Sequence, residues 1–178
     1  MRHLLIFLTS VLITGKAFGS DPTSQESPQP LHLTTRFNFD VDAPFAETAL
    51  LFGPQSEKRW AGDHWQPRFF YPQPGQDTAG AVFTIFNGRH TSTWVNTLYN
   101  VADGKMQYVA IIPQVVATVI DVKLARVNAT RTRVEVTYTR TALDPAANGD
   151  VRDLARHDAD SGPEWSQAIR ESLGTPDR

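Results

Sequence analysis

The chain has no cysteine among its 178 residues, which rules out disulfides, a thiolate nucleophile, a thiolate metal site and a lipid-anchored cysteine. It has no Gly-x-Gly-x-x-Gly or phosphate-loop pattern, so no nucleotide cofactor is implied, and no Gly-x-Ser-x-Gly elbow, so a serine hydrolase has no support. It has no basic excess: 17 Lys and Arg face 19 Asp and Glu, and no basic stripe interleaved with aromatics offers a footprint for nucleic acid. His64, His90 and His157 share no helical i, i+4 spacing and form no compact group, so no metal site is expected.

What is present begins with Met1-Arg2-His3, an apolar run from Leu4 to about Thr14, and Ala17-Phe18-Gly19. A basic start, a short apolar segment and small residues at its end predict a signal peptide over residues 1–19, cleaved before Ser20. The apolar run is too short to cross a bilayer, which needs about 20 residues. Cleavage leaves 15 basic against 19 acidic residues, a mildly acidic product expected in the periplasm or medium with no stable membrane insertion. Residues 20–30, rich in Pro, Ser and Gln, read as a disordered tether. The remainder has the size of a single domain whose core must hold without cross-links.

Residues Leu31 to Val41 alternate loosely and predict a first strand. Asp42-Ala43-Pro44 then offers an N-cap and a first-turn proline for a short helix whose apolar face is Phe45, Ala49 and Phe52, flanked by Ala46 and Leu50. Gly53-Pro54 stops it, and Ser56 to Trp60 reads as one further helical turn. Trp65, Pro67, Phe69, Phe70, Tyr71 and Pro72 follow in a stretch that reads as irregular and packed on something apolar, a lid or rim.

Five runs rich in β-branched and aromatic residues come next: Ala81–Phe86, Thr91–Tyr99, Lys105–Ile112, Val115–Val127 and Thr130–Thr141. Thr118, Ile120, Val122 and Leu124 alternate with Asp121 and Lys123, and Val134, Val136 and Tyr138 alternate with Arg133, Glu135 and Thr137. A period of two with short polar turns predicts an antiparallel meander with one apolar face. Between Lys105 and Ile112 both parities are apolar, so the face taken by Tyr108 stays open. Asn128-Ala129-Thr130 is a glycosylation sequon that also suits a hairpin turn. Helical spacing returns at Val151, Leu154 and Ala155, and again at Trp165, Ala168, Ile169 and Leu173. Between these stretches, Ser161 to Glu164 suggests a capping box, and Gly162-Pro163 is expected to break the helix.

This order, strand, short helices, long meander and terminal helix, is similar to that of the SRPBCC or START-like superfamily, over about residues 33–174. The residues that carry the resemblance are Phe39-x-Val41-x-Ala43-Pro44, Glu57-Lys58-Arg59-Trp60, Trp65-x-Pro67 with Tyr71-Pro72, and Gly80-Ala81-Val82-Phe83. Thr93-Trp94-Val95, Tyr108-Val109, Thr132-Arg133-Val134-x-Val136-x-Tyr138, Thr141-Ala142-Leu143 and Trp165 with Ile169 and Leu173 complete it. The resemblance implies an α+β helix-grip fold, a curved antiparallel sheet wrapped around a C-terminal helix and enclosing an apolar cavity. The break at Gly162-Pro163 and the signal-like start depart from the usual pattern.

Trp60, Trp94, Tyr108, Ile120, Tyr138 and Trp165 are the candidate ligand-binding residues, the strand members sharing the expected inner face and the tryptophans closing it. The implied function is non-enzymatic binding of a hydrophobic small molecule, lipid, sterol-like or polyketide-like, with no cofactor. A cyclase or dehydratase is the alternative, and it requires an inward ionisable group where the expected inner faces supply only Asn96, Thr118 and the two tyrosines. A third alternative is a filled core with an interaction surface elsewhere. Asp63-His64 is the most suggestive polar pair for acid/base work, placed in an expected surface loop.

Overall fold

In the computed structural model, residues 29–174 are described, and the expected signal peptide, most of the tether and the last four residues lie outside them. Seven strands form one antiparallel sheet: β1 (His32–Val41), β2 (Arg68–Tyr71), β3 (Val82–Phe86), β4 (Thr91–Asn100), β5 (Lys105–Ile112), β6 (Val116–Asn128) and β7 (Arg131–Ala142). Their order across the sheet is β1-β7-β6-β5-β4-β3-β2, so the first strand closes on the last and the rest follow as a meander. Helices α1 (Phe45–Ala49), α2 (Asn148–Asp160) and α3 (Gly162–Leu173) complete the fold, with 3-10 turns at Ser56–Arg59 and Pro145–Ala147. The helix-grip architecture expected from the sequence is the one observed. No helix among the described residues is long and apolar enough to cross a membrane.

Alternation sets the two faces. Phe37, Phe39 and Val41 of β1, Val122 and Leu124 of β6, and Val134 and Val136 of β7 are buried on the concave side, in one core with Phe45, Leu51, Phe52 and Ile169. The tight turn into β5 needs glycine at 104: its φ is +61°, and a Cβ there would lie 2.7 Å from the Phe45 ring and 2.8 Å from Leu124.

Several local expectations fail for tertiary reasons. Asp42 does not cap α1, because its carboxylate accepts the Arg131 Nε–H at 2.8 Å across the sheet edge. The helix stops at Ala49, leaving Leu50 exposed while Leu51 and Phe52 turn into the core. The aromatic stretch is not wholly irregular: Arg68–Tyr71 pairs with β3 as an edge strand. Ser161 is no capping-box residue, since its hydroxyl donates to the His157 carbonyl at 2.9 Å and its backbone is helical. The helix does break there, α2 ending at Asp160 and α3 starting at Gly162, with Pro163 in the first turn. Leu173, expected on the apolar stripe, is exposed at the helix end. Asn128 accepts the Thr130 N–H at 2.9 Å, so turn chemistry accounts for that side chain.

The Arg140–Asp158 ion pair ties the helical layer to the sheet. Arg140 of β7 makes a two-pronged contact with Asp158 of α2, Nε and Nη2 donating at 2.6 and 2.7 Å, and its Nη1 donates to Thr118 at 3.1 Å. Both side chains are nearly removed from water, at 12% and 5% exposure. Removing one partner strands the other charge, which costs about 3–5 kcal/mol. Asp158→Ala is therefore expected to lower the urea midpoint sharply, whereas Arg133→Ala, which breaks an exposed pair with Asp40, leaves it nearly unchanged. Comparable midpoints for the two variants would refute the anchoring role.

Candidate functional site

The strand register brings inward residues into a single row across the sheet. Asn96 of β4 faces Tyr108 of β5, Tyr108 faces Ile120 of β6, Ile120 faces Tyr138 of β7, and Tyr138 faces Thr35 of β1. Tyr108 thus points inward, which decides the parity left open above. Three of the six candidate residues lie in this row, and Trp94 stands one inward position along from Asn96 on β4.

The rings form two groups. Trp60 packs 5.0 Å from Trp165, which lies edge-on to Phe37 at 5.4 Å, and Phe37 in turn stacks 6.2 Å from Tyr138. On the other side, Trp94 lies 5.3 Å from Trp65, 5.9 Å from Phe83 and 6.2 Å from Tyr108. Ile120 occupies the register position between Tyr108 and Tyr138, where the groups adjoin. Trp60 and Ile120 are buried, while the inward-facing Trp94, Tyr138 and Trp165 keep some accessible surface. The indole N–H groups of Trp60, Trp65 and Trp94 are satisfied: Trp60 donates to the Leu51 carbonyl at 2.8 Å, Trp65 to that of Pro54 at 2.9 Å, and Trp94 to the Ser92 hydroxyl at 2.7 Å.

At Tyr108 the row meets a residue that sequence reasoning missed. Glu57, in the 3-10 turn Ser56–Arg59, is buried at 6% exposure, and its Oε1 accepts the Tyr108 hydroxyl at 2.8 Å and the Gly53 N–H at 3.2 Å. Asp77 positions that turn by accepting the backbone N–H groups of Gln55 (2.6 Å) and Ser56 (3.1 Å) and the Ser56 hydroxyl (2.6 Å). Gly53 is required where the turn meets Asp77: its φ is +144°, and a Cβ would stand 2.5 Å from the Asp77 carboxyl carbon. The neighbouring Lys58 and Arg59, both exposed, make this stretch read as surface. Its first-turn acid lies in the interior, where Tyr108, remote in sequence, reaches it.

Burial raises the Glu57 carboxyl to about 8, against the lowering effect of its two hydrogen bonds, with the nearby Asp77 charge adding to the rise. Burial first, then the Glu57 charge, pushes the Tyr108 hydroxyl well above the usual range. Tyr99, half-buried on β4, is pushed up to about 12 by burial and by Asp77 and Glu57. Tyr138 is likewise raised by burial and by Asp158, opposed by Arg140, whose guanidinium lies 4.7 Å over its ring. Asn96 is completely buried with neither side-chain polar atom partnered among the described residues. Asp63 and His64 are exposed in their loop, away from this row. Among the described residues no group of three or more His, Asp or Glu is arranged to hold a metal ion.

No family model and no curated protein matches the sequence. Solved structures do match in fold. Truncated norcoclaurine synthase from Thalictrum flavum superposes with a TM-score of 0.63 at 11% identity over 84% of this chain and 98% of its own. Ara h 8.0201 superposes at 0.56 with 12% identity, over 81% and 99%. The di-domain ARO/CYC BexL from the BE-7585A biosynthetic pathway superposes at 0.59 with 14% identity, covering 79% of this chain and 46% of that one. All three share the helix-grip architecture, and at these identities the likeness is one of fold.

Glu57 gives the site a signature in stability. Its folded value of about 8 lies above the ordinary 4.5, so between those limits the folded state holds a proton that the unfolded state releases. Stability from this group is full below about pH 4.5, falls as pH rises to about 8, and is level beyond. Wild-type stability relative to Glu57→Gln is expected to drop by a few kcal/mol, to order of magnitude, across that window in urea titrations at several pH values. A constant difference would show that Glu57 is not protonated in the fold.

Proposed function

We propose that this chain, a helix-grip domain of START-like architecture, is an exported protein that holds a hydrophobic small molecule between the concave face of its sheet and α3. The observation that carries the reading is the inward row itself. Trp94, Tyr138 and Trp165 keep accessible surface on the side of the sheet that buries the core, and a few polar groups converge there. An apolar lining with sparse polar groups is the usual composition of a small-molecule site. The neighbours support the class of function, one having been crystallised with dopamine and hydroxybenzaldehyde and another being an ARO/CYC protein. Burial at about 25 cal/mol per Å² lets a ligand of moderate size gain several kcal/mol before association costs. Lipid, sterol-like and polyketide-like compounds all fit these terms, and export rests on the N-terminal sequence pattern.

A second reading has its own observation. Phe70 and Tyr71 on edge strand β2 and Phe86 on β3 are about 60% exposed, as an interaction surface would be. Native mass spectrometry of protein purified without detergent from its own host separates the two. A reproducible bound compound of small mass is expected, with an N-terminus near Ser20. A ligand-free protein that also ignores a lipid and aromatic panel would refute the first reading in favour of the second. Trp94→Ala is further expected to weaken uptake of a fluorescent lipid probe severalfold, and the exposed Lys123→Ala to leave it unchanged. Equal effects would overturn the assignment of the concave face.

A further inference from the structure

Glu57 is the buried ionisable group that apolar binding leaves without a role. Both donors that reach it, the Tyr108 hydroxyl and the Gly53 N–H, go to Oε1, and Oε2 has no hydrogen-bond partner among the described residues. A buried carboxylate needs donors on both oxygens, whereas a carboxylic acid has one accepting oxygen and one hydroxyl that must itself donate. Both donors converge on Oε1, so Oε2 is the oxygen left to a further partner, and in the protonated acid, which burial favours, it is a donor that needs an acceptor. The charge that acts on the Glu57 carboxyl is that of Asp77, which is negative and raises it. The groups that face it are Tyr108 from β5, Tyr99 from β4, Tyr138 from β7 and Asp77 from the loop before β3. The guanidinium on the concave side, that of Arg140, is taken up by Asp158 and Thr118. A second observation is independent of the acid. Directly across the register from Tyr108, Asn96 is completely buried with both amide atoms unpartnered, a costly state that a polar group of a ligand would relieve.

We propose that the Glu57 carboxyl donates its Oε2 proton as a hydrogen bond to a carbonyl oxygen of the molecule held in the grip, with Tyr108 orienting the acid and Asn96 making a second polar contact to that molecule. The inference rests on the ligand-binding reading and narrows it to neutral hydrophobic ketones, esters and related carbonyl compounds. An amine would select the opposite state, since an ammonium ion is the partner of an ionised carboxylate. With the acid held up to about 8, the donor form predominates at neutral pH and is lost above it.

Three matched probes on the intact protein test this: acetylnaphthalene, ethylnaphthalene and naphthylethylamine, followed by calorimetry. The ketone is expected to bind about fivefold to tenfold more tightly than the hydrocarbon at about pH 6.5, as one buried hydrogen bond predicts. By about pH 9 that preference falls to near parity, and the bound ketone's infrared carbonyl stretch, lowered at pH 6.5, returns toward its value in an apolar solvent. Glu57→Gln, whose amide also donates and accepts, is expected to keep the preference without the pH dependence, and Glu57→Leu to abolish it. Equal affinity for ketone and hydrocarbon, or a wild-type preference unchanged to pH 9, overturns the proposal while leaving apolar binding intact. Amine affinity that rises with pH and exceeds that of the ketone assigns Glu57 to a cation instead. Failure to bind any of the three removes the ligand-binding reading and this inference with it.

Discussion

The hydrogen bond from Tyr108 to Glu57 joins positions 51 residues apart and brings a charged-looking turn into the centre of an aromatic interior. Much of the concave side is arranged around it. Gly53 at positive φ supplies a second donor, Asp77 holds the turn from outside, and Trp60, in the residues just after, packs on Trp165 of the terminal helix. A polar group buried in such surroundings is tolerated only when its hydrogen bonds are met, and here Oε1 is met twice while Oε2 has no partner among the described residues. That imbalance distinguishes the region from an ordinary core.

The sheet provides the geometry. Because pairing is antiparallel and in register from β1 through β7 to β4, one inward residue per strand lines up from Thr35 to Asn96. The row has polar members at Asn96, Tyr108, Tyr138 and Thr35, with Ile120 at its middle. Rings from α3, from the Ser56–Arg59 region and from β3 and β4 close over it in two groups, so apolar rings and polar side chains share one region of the interior.

The helical layer depends on a separate polar contact. Arg140 and Asp158 satisfy each other in two-pronged geometry, and Thr35 adds a contact to the acid at 3.4 Å. Such a pair is costly to desolvate, and its value lies in register and placement. It fixes α2 against β7 and β1, so that α3, beginning two residues after α2 ends, is delivered across the concave side. In a chain without cysteine, burial and these few polar contacts do the work that cross-links do elsewhere.

The sequence by itself determined the meander, the inner face of β6 and β7, the short first helix, the break before α3 and the architectural class. Each of these follows from local periodicity and turn chemistry, which side-chain alternation and glycine or proline record directly. It also singled out Trp60, Trp94, Ile120, Tyr138 and Trp165 as inward residues, because large apolar side chains have few other places to go. Only the tertiary structure decided the rest. The inward face of Tyr108 was undetermined where both parities are apolar, and β2 is a strand only because β3 pairs with it. Asp42 left its capping role for Arg131, and Arg140 found its acid on a helix. Glu57 lies between polar neighbours in a four-residue turn, so nothing local marks it as buried. Its protonation state is set by desolvation and by a phenol from a distant strand, quantities that exist only once the chain has closed on itself.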